Sequence, residues 1–235
     1  DSLARDGANF VNGYDANATC APSRATIMTG RYATRFGFEF TPAPVAFLRM
    51  VGTQKEEGAI AAPTFFADRI KDMPPGTTKG AQAVNNLAVP TSEIFIPALL
   101  KAKGYQTLHF GKWHLNGHKG PGVPIFADDP YAPSRFGFDE WVSVSNFYDV
   151  DPLMSRAGKF EQMKGDSSEV AVAEAVSFLE KHKAGGKPMF AVVWYGSPHS
   201  PFKALAADKA EFSKLNDTSA NHYGELAAMD RSIGT

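Results

Sequence analysis

Residues 189–195, Met-Phe-Ala-Val-Val-Trp-Tyr, form the longest apolar stretch in the chain. A strand points successive side chains to opposite faces, so an unbroken apolar run must be covered on both. A parallel sheet with helices on each side does this, and the run therefore predicts a central strand of such a sheet. Seven residues are far too few to span a bilayer, so no transmembrane segment is expected. With 235 residues, 43% of them apolar, the chain can bury a core as one moderate domain or two small ones.

The flanking pattern agrees with an α/β architecture. Asp166 with Glu169 forms a capping box opening a helix to about Lys183, with Val172, Ala173, Val176 and Leu179 on one face and Gly185-Gly186 behind it. Ser92 is placed to cap a helix over 93–103 ended by Gly104, and Gln106 to Phe110 follows as a second buried strand. Pro22 to Gly30 has proline inside the start and glycine just past the end of a two-turn helix, which puts Cys20 at its N-terminal mouth. Ser2 to Asp6 reads as a helix end closed by Gly7, Ala8 to Tyr14 as a short strand, and Asn221 to Ile233 as a helix with apolar positions 223, 226, 229 and 233. Pro42, Pro44, Pro63, Pro74 and Pro75 mark about 40–89 as an insertion with at most a short helix near Phe65 to Ile70. Residues 116–165 read as surface connections around one aromatic cluster, Phe136 to Trp141. The fold class expected is α/β, a mostly parallel central sheet with helices on both faces.

Twenty-four Lys and Arg against 25 Asp and Glu give a net charge of −1, so nothing argues for nucleic acid. The single cysteine, Cys20, cannot form an internal disulfide. Chemistry-bearing residues follow the predicted strands: Cys20 with Arg24 after the first, Lys112 and His114 after the second, and His199 after the third. Ligands of open α/β sheets bind beyond the carboxyl ends of the strands, so the three groups should share one crevice. Four residues across a helix start place Cys20 and Arg24 on neighbouring turns. His109 is assigned to packing inside its strand, and His118, His182 and His222 to the surface. Asp128-Asp129, before Pro130, reads as a solvated turn rather than a metal site.

Ala18-Thr19-Cys20-Ala21-Pro22-Ser23-Arg24 resembles the signature of type I sulfatases of the alkaline phosphatase superfamily, in which Cys-x-Pro-Ser-Arg directs oxidation of the cysteine to formylglycine (3-oxoalanine). Gly104 to His114 is similar to the second signature, with bulky Phe110 as its one departure, and Gly196-Ser197-Pro198-His199-Ser200-Pro201-Phe202 to a later His-x-Pro-Phe segment. Phe136 to Trp141 and Met229 to Gly234 resemble two less diagnostic stretches, so the likeness spans nearly the whole chain.

The resemblance implies hydrolysis of a sulfate ester, on a sulfated glycan or small molecule. Phosphonate monoesters or phosphodiesters are the alternative within the superfamily, and an inactive anion-binding fragment is the non-catalytic one. It implies Cys20, Arg24, Lys112, His114 and His199 as catalytic residues, Lys112 and His199 also contacting substrate, and Cys20 in its oxidised form as a ligand of Ca²⁺ or Mg²⁺. Arg24 would hold the hydrated aldehyde, His114 would accept its proton, and His199 would protonate the leaving oxygen. A formylglycine-generating or anaerobic sulfatase-maturating enzyme is the implied partner, and a periplasmic, extracellular or lysosomal setting the implied one. The family's Asp-Asp and Asp-Asn metal ligands and its sulfate-binding lysine have no counterpart here, so the chain is expected to be an internal part of the catalytic domain, without the C-terminal subdomain and inactive alone.

Overall fold

The computed structural model describes residues 2–38, 41, 88–117, 124–146 and 148–235. The predicted insertion, apart from Thr41 and residues 88–89, the helix near Phe65 to Ile70, and His118 lie outside these residues.

Five strands make one sheet: β1 (Gln106–Lys112), β2 (Glu140–Val144), β3 (Leu153–Arg156), β4 (Lys159–Gln162) and β5 (Met189–Trp194), in the order β4-β3-β2-β1-β5. β1 pairs in parallel with both β2 and β5, and the antiparallel β3 and β4 extend the sheet beyond β2. The parallel core is as expected, but β5 is the edge strand among the described residues, and β1, buried along nearly its whole length, is central.

Helices α1 (Ser2–Asp6), α2 (Cys20–Thr29), α3 (Ile96–Lys101), α4 (Ser167–Lys183), α5 (Ala206–Ala210) and α6 (Asp217–Ile233) complete the described elements, with short 3₁₀ turns at 33–36 and 133–136. Two apolar clusters sandwich the sheet. Ala21, Ala25 and Met28 of α2 join Trp113, Phe136, Phe138 and Val192 on one face, while Leu108, Phe110, Val142 and Val144 meet Ala175 and Phe178 of α4 on the other. Bulky Phe110 is accommodated there, its ring 6.3 Å from that of Phe178. Among the described residues no helix is long and apolar enough to cross a membrane.

Several expectations are corrected. Residues 8–14 are not a strand: Phe10, Val11 and Tyr14 are exposed, and no described strand pairs with them, so the apolar alternation has nothing to pack on. The third helix starts at Ile96 rather than 93, with Phe95 in place of Ser92 as its cap, because Pro90 to Ser92 form a turn. Residues 116–165 are not mere connections but hold β2, β3 and β4. On α4 the capping by Asp166 is as predicted, its carboxylate accepting from the Ser168 and Glu169 amides, but the buried face is Ala171, Ala175 and Phe178; Ala173 and Val176 are exposed. On α6 the buried stripe is Ala220, Gly224, Glu225, Ala228 and Ser232, and Tyr223 and Ile233 are exposed. Small side chains let a helix approach its neighbours closely, and the larger apolar ones then cover the rim.

Candidate active site

Cys20 is the first residue of α2, and it follows no strand. It reaches the sheet because Ala21 and Ala25, one turn apart and fully buried, seat the helix against the cluster beside β1. Ser23 donates from its hydroxyl to the Asn17 carbonyl at 2.7 Å, and Asn17 Oδ1 accepts from the Thr19 amide, so the turn into the helix is fixed from both sides. Gly30 ends the helix, as its place just past the predicted end implied, at φ +67° in the left-handed conformation.

The Cys20 thiol lies in polar surroundings, unlike the buried apolar setting usual for a free cysteine. Its Sγ is 3.3 Å from His114 Nδ1 and 3.5 Å from Thr41 Oγ1, and it hydrogen-bonds Lys112. Arg24 donates from Nη1 to the Lys112 carbonyl at 2.8 Å and lies over the Trp194 ring, 4.6 Å from its centroid. Four of the five sequence-predicted residues, Cys20, Arg24, Lys112 and His114, therefore meet at the carboxyl end of β1.

The strand end is tightly constrained. Gly111 has φ +95°, and a Cβ there would fall 2.0 Å from the Trp194 carbonyl oxygen, so glycine alone lets β1 and β5 close where the site begins. His114 has φ +59°, a left-handed backbone that costs a non-glycine residue about 1–2 kcal/mol. The Ser145 carbonyl, accepting from the His114 amide at 2.9 Å, helps hold it there.

Lys112 is buried, and burial lowers its pKa to about 8, with Cys20 pulling the other way and Arg24 adding to the depression. Burial of the Arg24 charge likewise lowers its pKa to about 10, and the groups that favour its charge are Cys20 and Tyr148 rather than a carboxylate. Taking cations out of water is costly, and an anion entering the site would offset part of that cost.

His199 stands on the loop leaving β5, which runs parallel to β1, and so at the same edge of the sheet as Lys112. It is exposed, with Nδ1 2.7 Å from the Ser200 carbonyl, and its field and that of Lys203 oppose the burial that raises the Asp149 pKa. His109 is packed as expected, fully buried among Trp113, Phe138 and Trp194, with Nδ1 2.7 Å from Ser143 Oγ; burial holds its pKa well below the ordinary value. His182 and His222 are half-buried rather than surface residues, stacked on Phe178 and Phe202.

Sequence reasoning missed Trp194 under Arg24, Thr41 beside Cys20, and Tyr148, buried next to Gly111 and Gly196. Neither the pairing that brings Trp194 beside Gly111 nor the position of Thr41 leaves a local signal in the chain.

No three His, Cys, Asp or Glu side chains among the described residues gather closely enough to hold a metal ion. Asp129 is occupied as a turn residue, accepting from Asn116 Nδ2 and the Tyr131 amide, and Asp128 is exposed. The described residues alone therefore do not fit the implied calcium.

The sulfatase family profile matches residues 1–235. The chain belongs to the sulfatase family. It is 25% identical over 250 residues to an uncharacterized sulfatase, YdeN, of Escherichia coli (strain K12), covering 99% of this chain and 37% of that protein. It is 27% identical over 206 residues to an ulvan-active sulfatase of Formosa agariphila, covering 86% and 30%, and 26% identical over 260 residues to the N-acetylgalactosamine-6-sulfatase of Homo sapiens, covering 100% and 40%. The sulfatase chain thus spans about two fifths or less of these relatives. The crystal structure of Ps i-CgsB superposes with a TM-score of 0.66 at 24% identity, over 94% of this chain and 44% of that one, and that protein has also been solved with k-i-k-neocarrahexaose. The fold is the one shared by these sulfatases, alkaline-phosphatase-like.

Proposed function

We propose that this chain carries the nucleophile, a cation that steadies it, a sulfate-binding cation and the proton-transfer groups of a sulfate-ester hydrolase acting on a sulfated carbohydrate. The observation that carries the reading is the enclosure of Lys112 and Arg24 around the Cys20 side chain, which suits a group that must meet a sulfate oxyanion. The relatives named for ulvan and N-acetylgalactosamine-6-sulfate chemistry favour a carbohydrate over a simple aryl ester.

In this reading Cys20 is oxidised to formylglycine by a generating or maturating enzyme that recognises Cys20-x-Pro22-Ser23-Arg24, and the Sγ position stands for an oxygen of the hydrated aldehyde. That hydrate supplies an oxygen nucleophile and a second hydroxyl through which sulfate is later expelled, a route closed to cysteine or serine. Arg24, held flat by Trp194 and the Lys112 carbonyl, keeps its fork towards the diol and offsets its growing negative charge. Lys112 presents a compact cation to a sulfate oxygen. His114, in contact through Nδ1, takes the diol proton, and His199 gives a proton to the departing ester oxygen. No step is routed through calcium, for which the described residues form no site.

Two measurements on the full-length gene product, coexpressed with a maturating enzyme, test this. The peptide holding Cys20 should show the mass of the aldehyde or its hydrate, and Cys20→Ala and Lys112→Ala should abolish release of sulfate from a sulfated oligosaccharide. An unmodified thiol in a fully active enzyme would overturn the nucleophile. Faster turnover of an aryl phosphodiester than of any sulfate ester would move the proposal to that substrate class.

A further inference from the structure

The loop that carries His199 is fastened along its length by residues that have no part in the chemistry. The Tyr195 hydroxyl accepts from Ser232 Oγ at 3.2 Å, and the hydroxyls of Ser197 and Ser167 are 2.9 Å apart. Beyond His199, the Phe202 ring stacks on His222 with centroids 4.3 Å apart. The Lys203 amide then donates to Glu225 Oε1, and the Ala204 amide to Asn221 Oδ1 at 3.1 Å. Asn221 and Glu225 are one turn apart on α6, so one helix face grips two consecutive backbone amides. Gly224 lets that face come so close: a Cβ on it would meet the Ala204 Cβ at 2.6 Å. Glu225 is 1% exposed, and its Oε2 has no hydrogen-bond partner among the described residues, so a carboxylate is kept at this buried place although a fixed amide already uses its other oxygen.

We propose that Glu225, assisted by Asn221, is a positioning residue for His199, fixing the 203–204 backbone so that the imidazole meets the departing ester oxygen. The proposal rests on the reading of His199 as proton donor. With Nδ1 bonded to the Ser200 carbonyl, Nε2 is the nitrogen that exchanges a proton with substrate: its N–H proton passes to the ester oxygen as the S–O bond breaks, and the imidazolium becomes neutral imidazole. A donor displaced by an ångström loses its advantage, while the rest of the site, on α2 and β1, keeps its geometry.

The test is a series of aryl sulfates whose phenols range from strongly to weakly acidic, turned over by the full-length, matured gene product. A phenol that leaves readily needs no acid, and one that leaves poorly depends on it. Loss of His199 in His199→Ala should therefore cost about 100-fold in kcat on the least acidic phenol and only a few-fold on the most acidic. Glu225→Leu should reproduce that slope, with about a 10-fold loss at the weak-acid end, and Glu225→Gln, which can still accept from the Lys203 amide, should stay within about 2-fold throughout. Asn221→Ala should show the same slope at about a third of the effect, so a Glu225→Leu protein that fails to accumulate leaves the idea testable. A sloped His199→Ala series beside flat Glu225→Leu and Asn221→Ala series would overturn the positioning role alone. A flat His199→Ala series would overturn the proton-donor reading on which it rests.

Discussion

Replacing Gly111 by alanine probes the joint between the fold and the site. Gly111 and Gly104 share nearly the same unusual backbone, φ +95° and φ +89°, but differ in surroundings. Nothing lies within 4 Å of a Cβ at Gly104, whereas at Gly111 it would meet the Trp194 carbonyl oxygen at 2.0 Å and the Tyr148 hydroxyl at 2.7 Å. Gly104→Ala should cost only the left-handed strain, about 1–2 kcal/mol. Gly111→Ala bears the same strain plus about 1–3 kcal/mol of overpacking, because a backbone carbonyl paired in a sheet cannot rotate aside and β5 must move. At roughly 2–4 °C per kcal/mol, melting should fall by about 2–8 °C in the first variant and about 4–20 °C in the second. Thermal unfolding of the pair in one background reads the difference directly. Because Trp194 lies under Arg24, Gly111→Ala should also lose sulfate release at temperatures where it is still folded, and Gly104→Ala should not. Equal melting shifts for the two variants would refute the close approach of β1 and β5 as the reason for glycine.

Three further outcomes are expected. Arg24→Lys keeps the charge but loses the Nη1 hydrogen bond to the Lys112 carbonyl, the planar fork and much of the stacking on Trp194, so sulfate release should fall at least about 100-fold with little change in melting; a loss under 5-fold would show that charge alone suffices. Asp166→Ala removes the α4 cap that accepts from the Ser168 and Glu169 amides and should cost about 1 kcal/mol by denaturant unfolding, with Asp166→Asn recovering most of it. Burial raises the Glu225 pKa from 4.5 to about 7, so below pH 4.5 the group is protonated in both folded and unfolded chains, and the stability it contributes there is lost as pH rises through 7. Glu225→Gln should flatten this component, worth about 3 kcal/mol between pH 4.5 and 8; an unchanged pH dependence of unfolding would assign it elsewhere.

How much of this could be read from the sequence depended on which force organised each segment. β5 was legible from its continuous apolar run and β1 from the Gly104 stop that precedes it, although β5 lies at the edge among the described residues with Ala191 exposed. β4 was not, since Lys159 to Gln162 stays largely at the surface and is ordered by backbone pairing to β3. The turn joining them places Ala157 at φ +50° and Gly158 at φ +93°, the two positive angles of a type I′ hairpin, but with alanine where asparagine or aspartate would have announced it. The inward faces of α4 and α6 were misread because they are lined by Ala171, Ala175, Ala220, Gly224 and Ala228, which patterning by large apolar residues passes over. The Cys20, Lys112 and His199 motifs stood out by residue type. Their supports, Trp194, Thr41 and Glu225, did not, because a partner set by tertiary approach leaves no spacing rule in the chain.

A left-handed backbone and two enclosed cations lie together at the proposed site. His114 holds a left-handed backbone two residues beyond Lys112, whose ammonium is buried, and the guanidinium of Arg24 is enclosed against Trp194. Each of these costs folding free energy that a neutral, relaxed strand end would not. What they have in common is the Cys20 side chain, approached by all three from different directions. Cations positioned in advance need no reorganisation when an oxyanion arrives, and shielding from water strengthens their hold on it. The aliphatic and aromatic packing of α2 against the sheet is therefore the counterweight: fully buried Ala21 and Ala25 keep the helix where the cations would otherwise push it away. A charge-neutral site on the same scaffold would fold more stably, and under the proposed function it would have little to offer a sulfate ester.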